Sequence, residues 1–287
     1  MKSDLTHLPQ LKQDELKLIC DTILASYPDI EMIILFGSYA RGDYREQKDI
    51  APDSKSGHPS DFDILAVTAD KNQANNAGLW QMINSQCRKM KLSAHPKIIR
   101  EDIEKLNHYL EFGYYFYSDI KKGGRILYDS EKVTLKNKRN LTPQENKELI
   151  CEYYDHWFGQ AKESYCVYEM VLKQGMFRKA ALELFFTAEA YYKSIILVFT
   201  KNCPREHHLG LLGEMTFQFN VSLKDIFPSD SEEHQKLFDS LDYAYIGARY
   251  DPEYTITKEQ LEYLAERVKK LREITEKICK EKIESFV

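Results

Sequence analysis

From Thr142 to its end the chain carries no strand-like alternation, and its apolar residues recur at three- and four-residue steps. That rules out one sheet-based domain over the whole length and makes the second half an all-α bundle. The boundary is written in Thr142-Pro143-Gln144-Glu145. Thr142 caps a helix, Pro143 takes the first helical position, where a missing N–H costs nothing, and Glu145 completes a capping box. At the far end Leu261, Leu264, Val268, Leu271, Ile274 and Ile278 give the last helix one apolar face. The polar, basic stretch DSEKVTLKNKRNL before Thr142 reads as a linker. The expected domains are residues 1–130 and 143–287, with the linker over 131–142. A length of 287 residues suits two domains of ordinary size.

The first half mixes elements. Residues 8–27 have helical apolar spacing, and Tyr27-Pro28 ends that helix. EMIILF (31–36) is a short, β-branched apolar run, hence a buried strand. FDILAV (62–67) is a second strand, followed by a helix over about 74–92, a strand at about 95–100, helices to about 122, and a last short strand in GGRILYDS.

Two short stretches carry chemistry. The first, GSYARG, starts directly after the EMIILF strand. A glycine there lets the backbone come close to a ligand. Ser38 adds a hydroxyl and an N–H at a helix start, which suits phosphate, and Arg41 one turn on adds a charged fork. The second stretch, SDFDI, places Asp61 and Asp63 two residues apart, so on a strand they face the same side. Two carboxylates beside a phosphate cradle suit Mg²⁺ carried by a triphosphate.

Together GSYARG and SDFDIL resemble the signature of the nucleotidyltransferase superfamily, the polymerase-β-like fold, in the minimal branch related to kanamycin nucleotidyltransferase. The likeness covers about residues 30–100. It implies an α+β fold, a mixed sheet with flanking helices. It also implies that Gly37, Ser38 and Arg41 bind the triphosphate and that Asp61 and Asp63 hold Mg²⁺ or Mn²⁺ and are catalytic. The reaction implied is transfer of a nucleoside monophosphate from an NTP to a hydroxyl, releasing pyrophosphate. The chain departs from the pattern twice. Active members carry a third carboxylate on the next strand. That strand here reads AHPKIIRED, with His95 and Lys97 at the inward positions and Glu101 and Asp102 late. The spacer between the two motifs is also long, DYREQKDIAPDSKSGHP, with Asp43, Glu46, Asp49, Asp53 and His58 in it. It reads as a solvent loop, a lid or a partner surface.

In the second half an aromatic stripe (Tyr153, Tyr154, Trp157, Tyr165, Tyr168) reads as core or interface, the latter compatible with a homodimer. HHLGLL (207–212) and the late ARY of the bundle resemble the HEPN family. The resemblance, over about 143–283, implies an all-α HEPN-like bundle with nucleotide or phosphate contacts at His208, Arg249, Tyr250 and Tyr254. HEPN ribonucleases place a histidine four to six residues after an arginine; Tyr254 stands there in this chain. Tyrosine titrates near 10 and is a poor base at neutral pH.

The net charge of −5 argues against a protein that coats nucleic acid, and no apolar run approaches a membrane span. The polar start is unlike a secretory signal, so a cytoplasmic protein is expected. The six scattered cysteines form no C-x-x-C and read as reduced, mostly buried thiols. The expected activity is Mg²⁺-dependent nucleotidyl transfer to a protein or small-molecule hydroxyl, with ATP or another NTP as donor. Two alternatives stand beside it. One is a nucleotide-binding regulatory module without turnover. The other is a self-restrained HEPN ribonuclease, since toxin–antitoxin pairs are built from these two folds.

Overall fold

The computed structural model describes residues 1–49 and 59–286. The chain divides into two compact units, Met1–Asn140 and Leu141–Val287. In the first, a four-stranded mixed sheet has the order β3-β2-β1-β4. Its strands are β1 (Ile30–Phe36), β2 (Phe62–Thr68), β3 (Pro96–Asp102) and β4 (Arg125–Asp129). β1 runs antiparallel to β2 and β4, while β2 and β3 are parallel.

Helices cover both faces of the sheet, which explains why EMIILF is a continuous apolar run rather than an alternating one. On one face Ile33, Leu35, Phe62, Ile64 and Ala66 pack with α1 (Gln10–Ser26) and with Trp80 and Ile83. A one-turn helix α2 (Gly37–Arg41) follows β1, and α3 (Lys71–Ala74) and α4 (Ala77–Arg88) follow β2. On the other face Met32, Ile34, Leu65 and Val67 pack with Leu106, Leu110 and Ile120, from α5 (Ile103–Phe112) and α6 (Tyr115–Gly123).

The expected linker is not free. Val133 and Leu135 pack on that second core, Lys121 donates to the Leu135 carbonyl, and the Arg139 N–H to that of Glu111. Residues 131–140 therefore belong to the first unit. Of the long spacer, the base is described: the Ser60 N–H donates to the Arg45 carbonyl at 2.8 Å, and the Arg45 N–H to Ser60 Oγ at 3.0 Å. Glu46 pairs with the buried Lys12 of α1 at 2.7 Å. Asp53 and His58 lie outside the described residues.

The second unit is helical: α7 (Pro143–Lys173), α8 (Phe177–Thr200), α9 (Leu209–Thr216), α10 (Glu232–Tyr250) and α11 (Lys258–Glu284). The capping box forms, with Glu145 N–H on Thr142 Oγ1 at 3.2 Å and Thr142 N–H on Glu145 Oε2 at 2.9 Å. Helix α8 is apolar on nearly every side and runs through the middle of the bundle, packed on α7, α9, α10 and α11. Tyr153, Tyr154 and Tyr168 are buried in this core and Trp157 and Tyr165 pack against it. The aromatic stripe is thus core, with Trp157 and Tyr165 partly buried at its margin. Among the described residues no helix is long and apolar enough to cross a membrane. Cys20, Cys87 and Cys279 are buried, whereas Cys166 is exposed, so burial of the cysteines is less general than expected.

Candidate active site and the helical-unit cluster

The end of β1 and the start of β2 lie side by side, with Phe36 paired to Asp63. Gly37 then turns with φ +73, and a Cβ built on it would sit 2.2 Å from Asp63 Oδ2. Only glycine fits this place, for both its backbone angle and its space. Phe62 and Ile64 point into the core shared with α1, so Asp63 points to the opposite side, and Asp61 shares that side by the two-residue period. The turn that bears Ser38 and the carboxylate pair therefore meet at one end of the two central strands. Helix α2 is a single turn, so any phosphate there would rest on individual N–H groups and the Ser38 hydroxyl rather than on a long helix dipole. Arg41 lies at the exposed rim, its Nε 3.0 Å from Asp43 Oδ2.

The charges at this end are coupled. The parallel register pairs Asp63 with Lys97, whose Nζ lies 2.5 Å from Asp61 Oδ2. Burial pushes the Asp63 carboxyl above the usual carboxylate range. Lys97 and Arg41 work against that shift, and the neighbouring Asp61 reinforces it. The hydrogen bond to Asp61, and its charge, hold the Lys97 ammonium above the usual lysine range.

Of the two inward residues expected on β3, Lys97 meets the carboxylates. His95 is exposed, and its carbonyl accepts the Phe62 N–H at 2.9 Å. Glu101 pairs with Val67, four residues further along the strand from Asp63, or about 13 Å at about 3.3 Å per residue. There it accepts from Tyr117 Oη at 2.8 Å, while Asp102 caps α5.

Among the described residues no group of three or more His, Cys, Asp or Glu is placed to hold a metal ion. The Asp61–Asp63 pair fits a cation that arrives on a nucleotide, because Mg²⁺ is commonly held by one or two carboxylates plus substrate phosphates.

The four residues expected to touch a nucleotide in the second unit fare differently. Tyr254 is 5% exposed and its Oη donates to the Ser240 carbonyl at 3.0 Å. Its ring lies against Gly247, where a Cβ would come within 2.8 Å of it. Burial pushes its phenol up. Tyr254 is a core residue whose hydroxyl is engaged by the Ser240 carbonyl. Arg249 and Tyr250 do lie together at the exposed end of α10, the guanidinium 5.0 Å from the Tyr250 ring centre. His208 turns instead to Asp242, Nδ1 to Oδ2 at 3.3 Å.

The neighbouring His207 has different partners. Its Nδ1–H donates to Glu189 Oε1 at 2.6 Å, and its ring stacks on Tyr245 with centres 5.0 Å apart. Arg249 lies over the same Tyr245 ring at 4.2 Å. Glu189 is buried and also accepts from Lys193 at 2.9 Å. Burial pushes Glu189 up, but the bonds from His207 and Lys193 outweigh it, and the carboxyl ends below its usual range. The arrangement makes His207 Nδ1 a donor to Glu189, and the Tyr245 ring has both the His207 ring and the Arg249 guanidinium as neighbours. In the sequence Glu189 and Lys193 stand four residues apart on one face of α8, a spacing that Lys179 and Glu183 share, so it does not single this cluster out.

RNA cleavage through the 2′-hydroxyl needs one group to take a proton and another to give one. An arginine does not serve as the base, and the Tyr254 hydroxyl is buried and donates to the Ser240 carbonyl, so the expected Arg249 and Tyr254 pair holds no ready base. Single-stranded RNA incubated with the purified chain is expected to remain intact on denaturing gels. Cleavage that is lost in His207→Ala would contradict this.

A search of curated proteins gives no match. Among solved structures the chain is similar to a nucleotidyltransferase-like protein from Exiguobacterium sibiricum, with 12% identity and a TM-score of 0.34 over 89% of this chain and 78% of that one. A likeness so loose bears on neither fold nor function. The family comparison is specific: residues 154–278 match the HEPN domain model, a span that runs from α7 to α11 and includes Glu189, His207, Tyr245 and Arg249. The helical unit of this chain carries a HEPN domain.

Proposed function

We propose that the first unit is a nucleotidyltransferase that moves a nucleoside monophosphate from an NTP to a hydroxyl of a protein or small molecule. The observation that carries this reading is the close approach of Gly37 to Asp63, which joins the glycine turn to the carboxylate pair at one end of the central strands. Backbone N–H groups after Gly37, the Ser38 hydroxyl and Arg41 bind and orient the triphosphate. Asp61 and Asp63 hold the cation that travels with it. Bound Mg²⁺ or Mn²⁺ supplies charge neutralisation at the α-phosphate and the departing pyrophosphate. The acceptor oxygen forms a bond to the α-phosphorus, the bond from that phosphorus to pyrophosphate breaks, and the hydroxyl proton leaves to water. Catalysis on these terms is positioning and electrostatics.

A second reading, a nucleotide-binding regulatory module without turnover, is favoured by one observation: a lysine rather than a third carboxylate stands opposite Asp63 on β3. Binding of labelled ATP, GTP, CTP and UTP tests the shared premise. At least one NTP is expected to bind about tenfold or more tighter with Mg²⁺ than with a chelator, a difference of about 1.4 kcal/mol. Equal affinity under both conditions for all four would sink the site.

A further inference from the structure

We propose that Lys97 is a tethered cation built into this site, standing where a second metal ion would otherwise be held, so that the site takes one divalent cation with its nucleotide. The inference rests on the nucleotidyltransferase reading of the first unit.

Three observations carry it. The parallel register sets Lys97 directly opposite Asp63. Its ammonium reaches Asp61 Oδ2 at 2.5 Å, so one residue addresses both carboxylates. Its side chain is 68% exposed while Asp61 is 32% exposed, which gives the long stem freedom to swing toward a bound phosphate. Lysine suits the part, being a compact point charge with three donors on a flexible stem.

The charge count follows. Asp61 and Asp63 bring two negative charges and Lys97 takes back one. A carboxylate opposite Asp63 would instead bring three. That third negative charge would favour a second divalent cation about 3.5–4 Å from the first, the spacing typical of two-metal phosphoryl-transfer sites. Here the next carboxylate on β3, Glu101, faces Tyr117 and Lys105 instead. The alternative, an ordinary exposed ion pair of little consequence, leaves metal binding unchanged when Lys97 is replaced.

The test counts bound Mn²⁺ by electron paramagnetic resonance on the full chain, with a saturating α,β-methylene NTP analogue that cannot be cleaved. The wild type is expected to hold one Mn²⁺ per chain and Lys97→Glu two. Without nucleotide, Lys97→Gln is expected to bind Mn²⁺ about tenfold more tightly than the wild type, because a positive charge has left the ligands. Two Mn²⁺ in the wild type would overturn the inference alone. So would a single Mn²⁺ in Lys97→Glu together with an unchanged affinity in Lys97→Gln. A wild type that binds neither analogue nor Mn²⁺ would overturn the transferase reading, and this inference with it.

Discussion

Asp63→Asn is expected to lower nucleotidyl transfer by about a thousandfold or more, equivalent to about 4 kcal/mol of transition-state stabilisation. The change keeps the shape of the side chain and removes one charge. Asp63 sits near the start of a strand paired on both sides, against Gly37 on one side and Lys97 on the other. An amide fills that space, so folding should survive; burial already disfavours the charged carboxylate there. What is lost is a negative ligand for the nucleotide's cation. In the variant, NTP binding with Mg²⁺ should fall to the level that the wild type shows in chelator. Transfer rates, circular dichroism and the thermal midpoint measured side by side separate this from unfolding. Activity within threefold of wild type would remove Asp63 from the site.

Gly37→Ala tests the cradle. Alanine at φ +73 costs about 1–2 kcal/mol in backbone strain. Its methyl would also land 2.2 Å from Asp63 Oδ2, so the carboxylate or the turn must move. Displacing a catalytic group by about 1 Å costs on the order of a hundredfold in rate. Transfer is therefore expected to fall by about a hundredfold or more, with a modest drop in stability. Because the methyl strikes the side chain of Asp63, Gly37→Ala in an Asp63→Asn background should add little further loss, as expected for neighbours that act as one unit. Independent, multiplying losses in the double variant would mean that the turn and the carboxylate do not work together.

Much of this site could be read from the sequence because it rests on short-range rules. A strand that runs into Gly-Ser and two acids one residue apart fix the local geometry without knowledge of the rest of the fold. The neighbour relations across strands were less legible. That β3 would pair in parallel with β2, and that Lys97 would come to rest on Asp61, depends on register between segments more than thirty residues apart.

The helical unit shows the same limit from the other side. Its class and its capping box follow from periodicity and from Thr142-Pro143-Gln144-Glu145. Its polar cluster joins α8, the segment before α9, and α10, so it emerges only when two helices and that segment pack together. Tyr254 drew notice by its distance from Arg249 in the sequence, yet the chain turns inward after Asp251 and buries the ring on Gly247. His207, one residue before the histidine that the sequence singled out, stacks on the Tyr245 ring that Arg249 also lies over.

Transfer itself is the direct test of the transferase account. The purified chain would be incubated with each α-phosphate-labelled NTP, Mg²⁺, and fractions of protein and small molecules that bear hydroxyls. Pyrophosphate and label in acid-stable product would both be measured, with Asp61→Ala/Asp63→Asn as the control. The expected result is that label and pyrophosphate appear in equal amounts, need Mg²⁺, and vanish in the control. Tight, Mg²⁺-dependent NTP binding with no pyrophosphate released in any fraction would contradict the transferase and leave a nucleotide-binding module in its place.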